Sequence, residues 1–202
     1  MKLPLDNYEA FLFDLDGTLA NSMPLHNEAW IGTLRDRGHH ITAEVLQEYA
    51  GIQNPRTIEL FNERFSWKLD ADSVIAEKEA RFLRNLALVK PIEAVLKIAH
   101  ENFGKKKLAI VSGGHKELVK QILHALKIEQ LFPVAVCAED TVRGKPHPDP
   151  FLQAAIRLRV RAEQCLVFED GEAGIQGAKA AGMGVVRVGS GPGFRLEFLC
   201  KA

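Results

Sequence analysis

One stretch of this chain predicts its fold, and it reads Phe11-Leu12-Phe13-Asp14-Leu15-Asp16-Gly17-Thr18-Leu19. The apolar run that begins at Ala10 is typical of a buried strand in a parallel sheet. The strand ends in two carboxylates two positions apart, and ligands of α/β proteins bind at the carboxyl ends of strands. Two acids held there are unfavourable for folding unless a cation balances them. The stretch therefore predicts a cation-dependent site, with a polar strand end and turn as the simpler alternative.

The composition points away from nucleic acids and membranes as partners. Of 202 residues, 26 are lysine or arginine and 26 are aspartate or glutamate, so the formal net charge is zero. A neutral chain has no general attraction to a polyanion or an anionic lipid surface. No apolar run approaches the roughly 18 residues of a membrane span. The first nine residues lack the basic segment and apolar run of a secretory signal.

The cysteines indicate a reducing compartment. Cys137, Cys165 and Cys200 are scattered along the chain with no Cys-x-x-Cys spacing. An odd, scattered set is typical of reduced thiols, so we expect a cytoplasmic protein. The neutral charge and the lack of an obvious exposed apolar stripe favour a monomer.

The segment after the opening strand is helical by pattern. Its apolar residues recur at helical spacing, and turn residues separate the runs. Four helices are predicted: residues 24–38, a short one that opens at Thr42, residues 55–65 and residues 70–86. We therefore predict a small helical domain over residues 20–88, inserted into a core domain of residues 1–19 and 89–202. Its hinges would be Asn21-Ser22 and residues 88–91.

From Pro91 onward, strand and helix patterns alternate as they do in βαβ units. Further strands are predicted at residues 107–111, 134–138, 165–168 and 185–188. The helices are predicted at residues 91–103, 115–126, 149–159 and 172–181. With the opening strand they make five parallel strands, which defines an α/β fold with a Rossmann-like parallel sheet. Residues 189–193 are expected to break regular structure, and residues 194–200 to form a short tail.

Two further loops carry groups suited to an anion. Ser112-Gly113-Gly114 leaves a strand and opens a helix, where a hydroxyl and free N–H groups form an anion site. Small residues are also common in purely structural turns. Lys145 precedes a proline, which restricts its backbone to an extended conformation. An ammonium fixed in this way suits a phosphate or a carboxylate, and a solvated loop lysine is the alternative.

Glu169 and Asp170 end another predicted strand, so they should lie at the same sheet edge as Asp14 and Asp16. Four clustered carboxylates would repel one another without a cation. Oxygen ligands without histidine or cysteine favour Mg²⁺, although Asp170 could instead cap a helix. A Mg²⁺ ion, a lysine, a serine and helix-end amides around one carboxylate suit phosphoryl transfer. The carboxylate would attack phosphorus and form an acyl phosphate.

These residues resemble the four motifs of the haloacid dehalogenase superfamily. The motifs stand here as Asp14-Leu-Asp-Gly-Thr18, Ser112 after Leu-Ala-Ile-Val, Lys145 in Gly-Lys-Pro-His-Pro-Asp, and Glu169-Asp170. The likeness spans essentially the whole chain and is nearest to β-phosphoglucomutase-like phosphatases of the fructose-1-phosphatase type. By this resemblance the helical insert corresponds to a small cap domain. Gly171, where the branch often has serine, and Ile92, where many members have glycine, loosen the assignment of a substrate.

The resemblance implies a role for each of these core residues. Asp14 would be the nucleophile, and Asp16 would act as general acid toward the leaving alcohol and then as base toward water. Mg²⁺ would be held by the Asp14 side chain, the Asp16 backbone carbonyl and Asp170, with Glu169 as a further ligand or a neighbour of the ligands. The phosphoryl oxygens would be bound by Ser112, Gly113 and Lys145.

Substrate choice is expected from the helical cap. His26 and Trp30 lie four positions apart, on one helix face. Asn54 and Arg56 follow the loop at Gly51 and are candidates to meet the sugar or a second phosphate. Each has a structural alternative, which is packing in the cap core for Trp30, an ordinary helix position for His26 and a solvated face for Arg56.

Three functions remain open from the sequence. The favoured one is a Mg²⁺-dependent phosphatase of a small phosphorylated sugar or a related phosphomonoester. A β-phosphoglucomutase-type sugar phosphomutase would use the same residues and differ in the lifetime of the acyl phosphate. A non-catalytic binding or regulatory domain is the third, and the intact acids, serine and lysine argue against it. The expected partner is a small-molecule phosphomonoester.

Overall fold

The structure is a computed structural model that describes residues 3–189 and 194–199. Within these residues the strands are β1 (Ala10–Phe13), β2 (Ala20–Asn21), β3 (Lys90–Pro91), β4 (Lys107–Val111), β5 (Val134–Val136), β6 (Cys165–Glu169), β7 (Gly184–Val188) and β8 (Leu196–Leu199). The α-helices are α1 (Met23–Arg35), α2 (Ala43–Gln47), α3 (Asn54–Phe65), α4 (Ala71–Arg84), α5 (Glu93–Asn102), α6 (Lys116–Leu126), α7 (Asp149–Leu158) and α8 (Glu172–Ala180).

Strand β1 lies in the interior of a six-stranded sheet with the order β5-β4-β1-β6-β7-β8. It pairs in parallel with β4 on one side and β6 on the other, so Phe13 lies beside Ile110 and Phe168. The carboxyl ends of the three central strands therefore meet at one edge, where ligands of α/β proteins bind. The predicted Rossmann-like sheet of five parallel strands is confirmed.

The prediction of a short tail is wrong for residues 196–199. These residues form β8, which runs antiparallel to β7 with Phe198 opposite Val186. Leu196 and Phe198 are partly buried against the core. The added strand also covers an edge of β7 that would otherwise present unpaired backbone groups. Residues 190–193 of the predicted break, and Cys200, lie outside the described residues.

The alternation of side chains along β1 divides the core into two layers. Phe11 and Phe13 pack on the face covered by α5 and α6, whereas Ala10 and Leu12 pack on the face covered by α7 and α8. Phe13 also stacks on Phe168 with ring centroids 4.7 Å apart. All four residues of β1 are fully buried, so the strand is a rigid base for the polar turn that follows it.

Helices α1 to α4 lie between β2 and β3 in the chain, and these two short strands pair antiparallel. The helices share a hydrophobic cluster built around Trp30, Leu34, Phe61 and Val74. All four predicted helices form, and α1 ends at Arg35 and α4 at Arg84. The division into a core domain and a cap domain stays a prediction, and below the word cap is only a name for residues 20–88 and the word core for the rest of the chain. In the described part of the chain, no helix has the length and apolar character needed to cross a bilayer.

The packing of β1 predicts where the fold is sensitive. Phe11 is fully buried and contacts the rings of Phe13 and Phe168 at centroid distances of 6.5 and 5.7 Å. Phe11→Ala should lower the free energy of unfolding in urea by about 3–5 kcal/mol, because it leaves a cavity. Ile156→Ala, at a side chain that is 68% exposed, should change it by less than about 0.5 kcal/mol. Equal losses in the two variants would contradict this description of the core.

Candidate active site

The turn after β1 presents two carboxylates from a rigid base. The Asp14 N–H donates to the Phe168 carbonyl at 3.0 Å, and the Gly17 N–H donates to the Ala20 carbonyl at 2.8 Å, which closes the turn. Gly17 has a φ of +90°, and a side chain there would lie 2.1 Å from Asp170 Oδ2. Glycine is therefore required for the turn to approach Asp170 so closely.

Lys145 links two of the acids. Its Nζ donates to Asp14 Oδ1 at 2.7 Å and to Glu169 Oε2 at 2.6 Å, and all three side chains are buried. Burial alone would lower the pKa of Lys145, but the two carboxylates outweigh that effect and raise the pKa above its ordinary value. The ammonium is therefore a permanent positive charge fixed against Asp14.

Three acids form a cluster that fits a divalent cation. Asp14, Glu169 and Asp170 each place a carboxylate oxygen within 4.8 Å of the others. Burial and the charge of Asp14 raise the pKa of Glu169 to about 8 and that of Asp170 to about 7. Asp14 Oδ2 is buried without a hydrogen-bond partner, and Thr18 Oγ1 orients Asp170 by donating to Oδ1 at 2.9 Å. Hard oxygen donors with an unpartnered, buried carboxylate oxygen suit Mg²⁺, so these three residues could hold it.

The Asp16 carboxylate belongs to a different network. Its Oδ1 accepts from Ser22 Oγ at 2.5 Å and lies 3.0 Å from His26 Nε2. The other ring nitrogen, His26 Nδ1, lies 3.0 Å from Lys78 Nζ. An ammonium can only donate, so Nδ1 accepts and the ring proton lies on Nε2. Burial and then the Lys78 charge lower the pKa of His26, which favours this neutral ring.

This network connects two cap helices to the core. Burial would raise the pKa of Asp16, but the hydrogen bonds from His26 and Ser22 and the nearby Lys78 charge lower it below its ordinary value. Burial lowers the pKa of Lys78 to about 8. The sequence reasoning missed Lys78. The available signal was its position on the apolar face of α4 with Ile75 and Phe82, where lysine is unusual.

The turn at Ser112 lies against the cap. Ser112 is buried, and its Oγ accepts from the Gly114 N–H at 3.0 Å. A side chain at Gly113 would lie 2.8 Å from the Gly51 carbonyl oxygen, so the cap loop packs directly on this turn. The phosphate-binding roles of Ser112 and Gly113 stay predictions.

A cavity of about 80 Å³ separates the core turns from the cap. Its core side includes Asp14, Asp16 and Ser112. Its cap side combines apolar groups with amides and a hydroxyl, namely Met23, Trp30, Leu46, Ile52, Asn27, Asn54 and Thr57. Of the four cap residues predicted to meet substrate, His26, Trp30 and Asn54 line this cavity. Trp30 also packs in the cap core, which was its structural alternative.

The structure does not bring Arg56 to this cavity. Its guanidinium donates to Glu59 Oε2 at 2.8 Å and to Glu63 Oε1 at 3.2 Å. It borders a separate cleft between α3 and residues 142–147. Two positions along a helix correspond to a rotation of about 200°, so Arg56 and Asn54 face different directions. The structure therefore does not bring Arg56 together with the other residues predicted to meet substrate.

Comparison with known proteins identifies a family over most of the chain. A family model described as haloacid dehalogenase-like hydrolase matches residues 8–182. The fructose-1-phosphate phosphatase of Escherichia coli (strain K12) is 31% identical, over 91% of this chain and 97% of that protein. A hydrolase from Pseudomonas syringae has a similar fold, with a TM-score of 0.84 and 21% identity over 92% of this chain and 88% of that chain. A β-phosphoglucomutase from Clostridium difficile gives a TM-score of 0.77 and 27% identity over 91% of this chain and 85% of that chain.

The raised pKa values predict how Mg²⁺ should stabilise the protein. Glu169 and Asp170 bind protons more tightly in the folded chain, so their contribution to stability is present below their ordinary pKa values of 4.5 and 3.8. This contribution is lost as the pH rises through about 7 for Asp170 and about 8 for Glu169. Mg²⁺ competes with these protons and replaces the lost contribution. The rise in Tm on adding Mg²⁺, measured by calorimetry, should therefore be larger at pH 8 than at pH 5.

Two variants test whether the Mg²⁺-dependent rise in Tm comes from the acid cluster. Asp170→Asn should reduce the Mg²⁺-dependent rise in Tm at pH 8. Glu172→Gln alters a nearby exposed acid that pairs with Arg187, and it should keep the full rise. A rise that is the same at both pH values, or that both variants lose equally, would contradict a cation site at these acids.

Proposed function

This chain belongs to the haloacid dehalogenase-like hydrolases, and on that premise we propose that it is a Mg²⁺-dependent phosphatase. Its substrate would be a small phosphorylated sugar or a related phosphomonoester, hydrolysed through an aspartyl phosphate on Asp14. One observation carries this proposal. Asp14 is held at Oδ1 by the Lys145 ammonium at 2.7 Å, while Oδ2 is buried and unpartnered.

In the proposed first step, the Asp14 carboxylate attacks phosphorus. The bond between phosphorus and the Asp14 oxygen forms as the bond to the leaving alcohol oxygen breaks, which gives an acyl phosphate. Lys145 orients the carboxylate and faces the negative charge that gathers on the phosphoryl oxygens. The Ser112 hydroxyl and the N–H groups of its turn, including that of Gly113, would bind the remaining phosphoryl oxygens.

The metal assignment rests on the same acids. Asp14, Asp170 and the Asp16 backbone carbonyl would hold Mg²⁺, with Glu169 beside them. When bound, the ion supplies positive charge that neutralises the phosphoryl oxygens. Glu169 also accepts from Lys145 at 2.6 Å, so it positions the ammonium that contacts Asp14.

Asp16 would exchange protons with the alcohol and then with water. A phosphate dianion that enters the cavity raises the pKa of Asp16, because like charges disfavour ionisation. Asp16 would then take up a proton from solvent and give it to the leaving alcohol. It would later accept a proton from the water that attacks phosphorus as the bond between phosphorus and the Asp14 oxygen breaks. His26 and Ser22 hold the carboxylate by hydrogen bonds at 3.0 and 2.5 Å, so it faces the cavity in a fixed position.

The cavity between the cap and the core favours a small substrate. The cavity is small and partly apolar, so a bound phosphate ester would exclude water until the acyl phosphate forms. The likeness to a fructose-1-phosphate phosphatase supports a sugar phosphate. We also propose, as the sequence predicts, that the protein is cytoplasmic and monomeric.

A sugar phosphomutase is the second candidate function. The likeness to a β-phosphoglucomutase at 27% identity favours it. Such an enzyme would return the phosphoryl group from Asp14 to another hydroxyl and would need a bisphosphate to start its cycle. Inorganic phosphate should then be released slowly or not at all.

The proposed function predicts phosphate release that depends on Mg²⁺. The purified protein should release inorganic phosphate from at least one member of a panel of sugar and polyol monophosphates. Chelation of the metal should abolish this release, and added Mg²⁺ should restore it. Absence of release across the panel, with isomerisation of a sugar phosphate in the presence of a bisphosphate, would favour the phosphomutase instead.

Asp14→Asn tests the nucleophile. The amide has nearly the same size but is a poor nucleophile, so kcat should fall by at least about a thousandfold. Asp149→Asn is a matched control at the start of α7, where the carboxylate pairs with Arg143, and it should keep the activity. Turnover by Asp14→Asn within tenfold of the natural protein, at unchanged Tm, would refute the assignment.

A further inference from the structure

We infer that Gln53 is a positioning residue for Lys145, because it holds from the cap the segment of the core that carries this lysine. That segment is residues 138–145 and is called the lysine segment below. In the part of the chain that the structure describes, Gln53 lines the cleft between α3 and residues 142–147 and not the cavity. It therefore acts through Lys145 and not on substrate. The inference rests on the proposed function, in which Lys145 orients Asp14.

Gln53 contacts the lysine segment where it begins and where it ends. Its Nε2 donates to the Ala138 carbonyl at 3.0 Å. Its side chain also lies over Gly144, the residue before Lys145, because a Cβ at position 144 would lie 2.6 Å from Gln53 Cδ. The Gln53 carbonyl accepts from the Thr57 N–H at 3.0 Å, which ties Gln53 to the first turn of α3. One side chain with a rigid base thus spans the segment.

The glycine at position 144 is explained by this contact and not by its own backbone. Its φ lies outside the left-handed region, so the backbone would accept alanine there. A Cβ at this position would, however, lie 2.8 Å from Gln53 Cγ and 3.0 Å from Gln53 Nε2. Gly144→Ala should therefore displace the Gln53 side chain and break its hydrogen bond to Ala138.

The core gives the lysine segment little support of its own. Within residues 3–189 and 194–199, none of the backbone N–H groups of residues 141–144 donates to a backbone carbonyl. Thr141 Oγ1 is buried without a hydrogen-bond partner, and the Val142 side chain is fully exposed. A stretch with so few hydrogen bonds depends on outside contacts for its position, and Gln53 supplies one.

The cap loop before Gln53 also packs beside Lys145. A Cβ at Gly51 would lie 3.6 Å from Lys145 Cδ, which is an ordinary van der Waals distance. The tip of the same side chain donates to Asp14 at 2.7 Å and to Glu169 at 2.6 Å. A displacement of about 1 Å at a catalytic group can lower a rate about a hundredfold. A loosened lysine segment should therefore be visible both at Lys145 itself and in kcat.

The first test observes Lys145 without turnover. Gln53→Met keeps the length of the side chain and removes its donor. In protein carrying isotope-labelled lysine, the NMR signal of Lys145 Cε, assigned by its loss in Lys145→Arg, should shift in Gln53→Met. Gln130→Met is the matched control, because Gln130 Nε2 also donates to a backbone carbonyl at 3.0 Å, that of Lys127, on an exposed surface. A Lys145 signal that stays in place in Gln53→Met, or that moves equally in both variants, would overturn the inference.

The second test measures turnover of a sugar phosphate that the natural protein hydrolyses, at saturating Mg²⁺. Gln53→Met should lower kcat at least about tenfold, because Lys145 is no longer held in place against Asp14. Gln130→Met should stay within about twofold of the natural protein. A kcat for Gln53→Met that matches the control would contradict the positioning role.

A double-mutant cycle tests the contact between Gln53 and Gly144. Gly144→Ala alone should lower kcat at least about tenfold and shift the Lys145 signal, because its Cβ displaces Gln53. In the Gln53→Ala background the same change has no side chain to displace, so it should alter kcat by less than about threefold. Equal losses from Gly144→Ala in the two backgrounds would overturn the inference.

The two readouts separate this inference from the proposed function. Absence of phosphate release from every sugar phosphate in the natural protein would overturn the proposed function, whereas the Lys145 signal would still decide the role of Gln53. Phosphate release that depends on Mg²⁺ and Asp14 but is unchanged by Gln53→Met would overturn the inference alone.

Discussion

The structure depends on one buried ammonium group held between two carboxylates. Lys145 Nζ lies 2.7 Å from Asp14 and 2.6 Å from Glu169, and the three side chains are almost inaccessible to water. Carboxylates at this depth are costly to ionise unless a positive charge is fixed against them. Lys145 supplies that charge, yet it leaves Asp14 Oδ2 unpartnered and Asp170 close by. The folded chain thus keeps an incomplete charge balance that a divalent cation and a phosphate can complete.

The sheet explains why these groups can be brought so close together. Strand β1 pairs with β4 and β6, so the residues after each strand share one edge. The cap contributes a second connection, because His26 on α1 contacts the Asp16 carboxylate and Lys78 on α4 contacts His26. A charged group on the core is therefore held partly by the cap. In the proposed mechanism, proton transfer at Asp16 would therefore depend on the cap.

Much of this arrangement could be predicted from the sequence, because strand ends and short polar motifs are local signals. The run at Ala10–Phe13, the turn with Gly17 and the acids at 169 and 170 each depend on a few adjacent residues. The misses concern side chains whose surroundings come from distant segments. In the sequence, Lys78 occupies a position on α4 where an apolar core residue is expected. Only the folded structure shows that it contacts His26. Arg56 was expected near substrate because of its place in the sequence, but the helix turns it toward Glu59 and Glu63.

The central claim, that Asp14 itself accepts the phosphoryl group, can be tested by chemical trapping. The protein is mixed with Mg²⁺ and a sugar phosphate that it hydrolyses, and the reaction is quenched in acid within the first turnovers. Reduction with borohydride then converts an aspartyl phosphate to homoserine. Peptide mass spectrometry then locates the modified residue. The account predicts homoserine at position 14 and unmodified aspartate at positions 16 and 170. Phosphate release with no homoserine at position 14, or with homoserine at another of these acids, would contradict it.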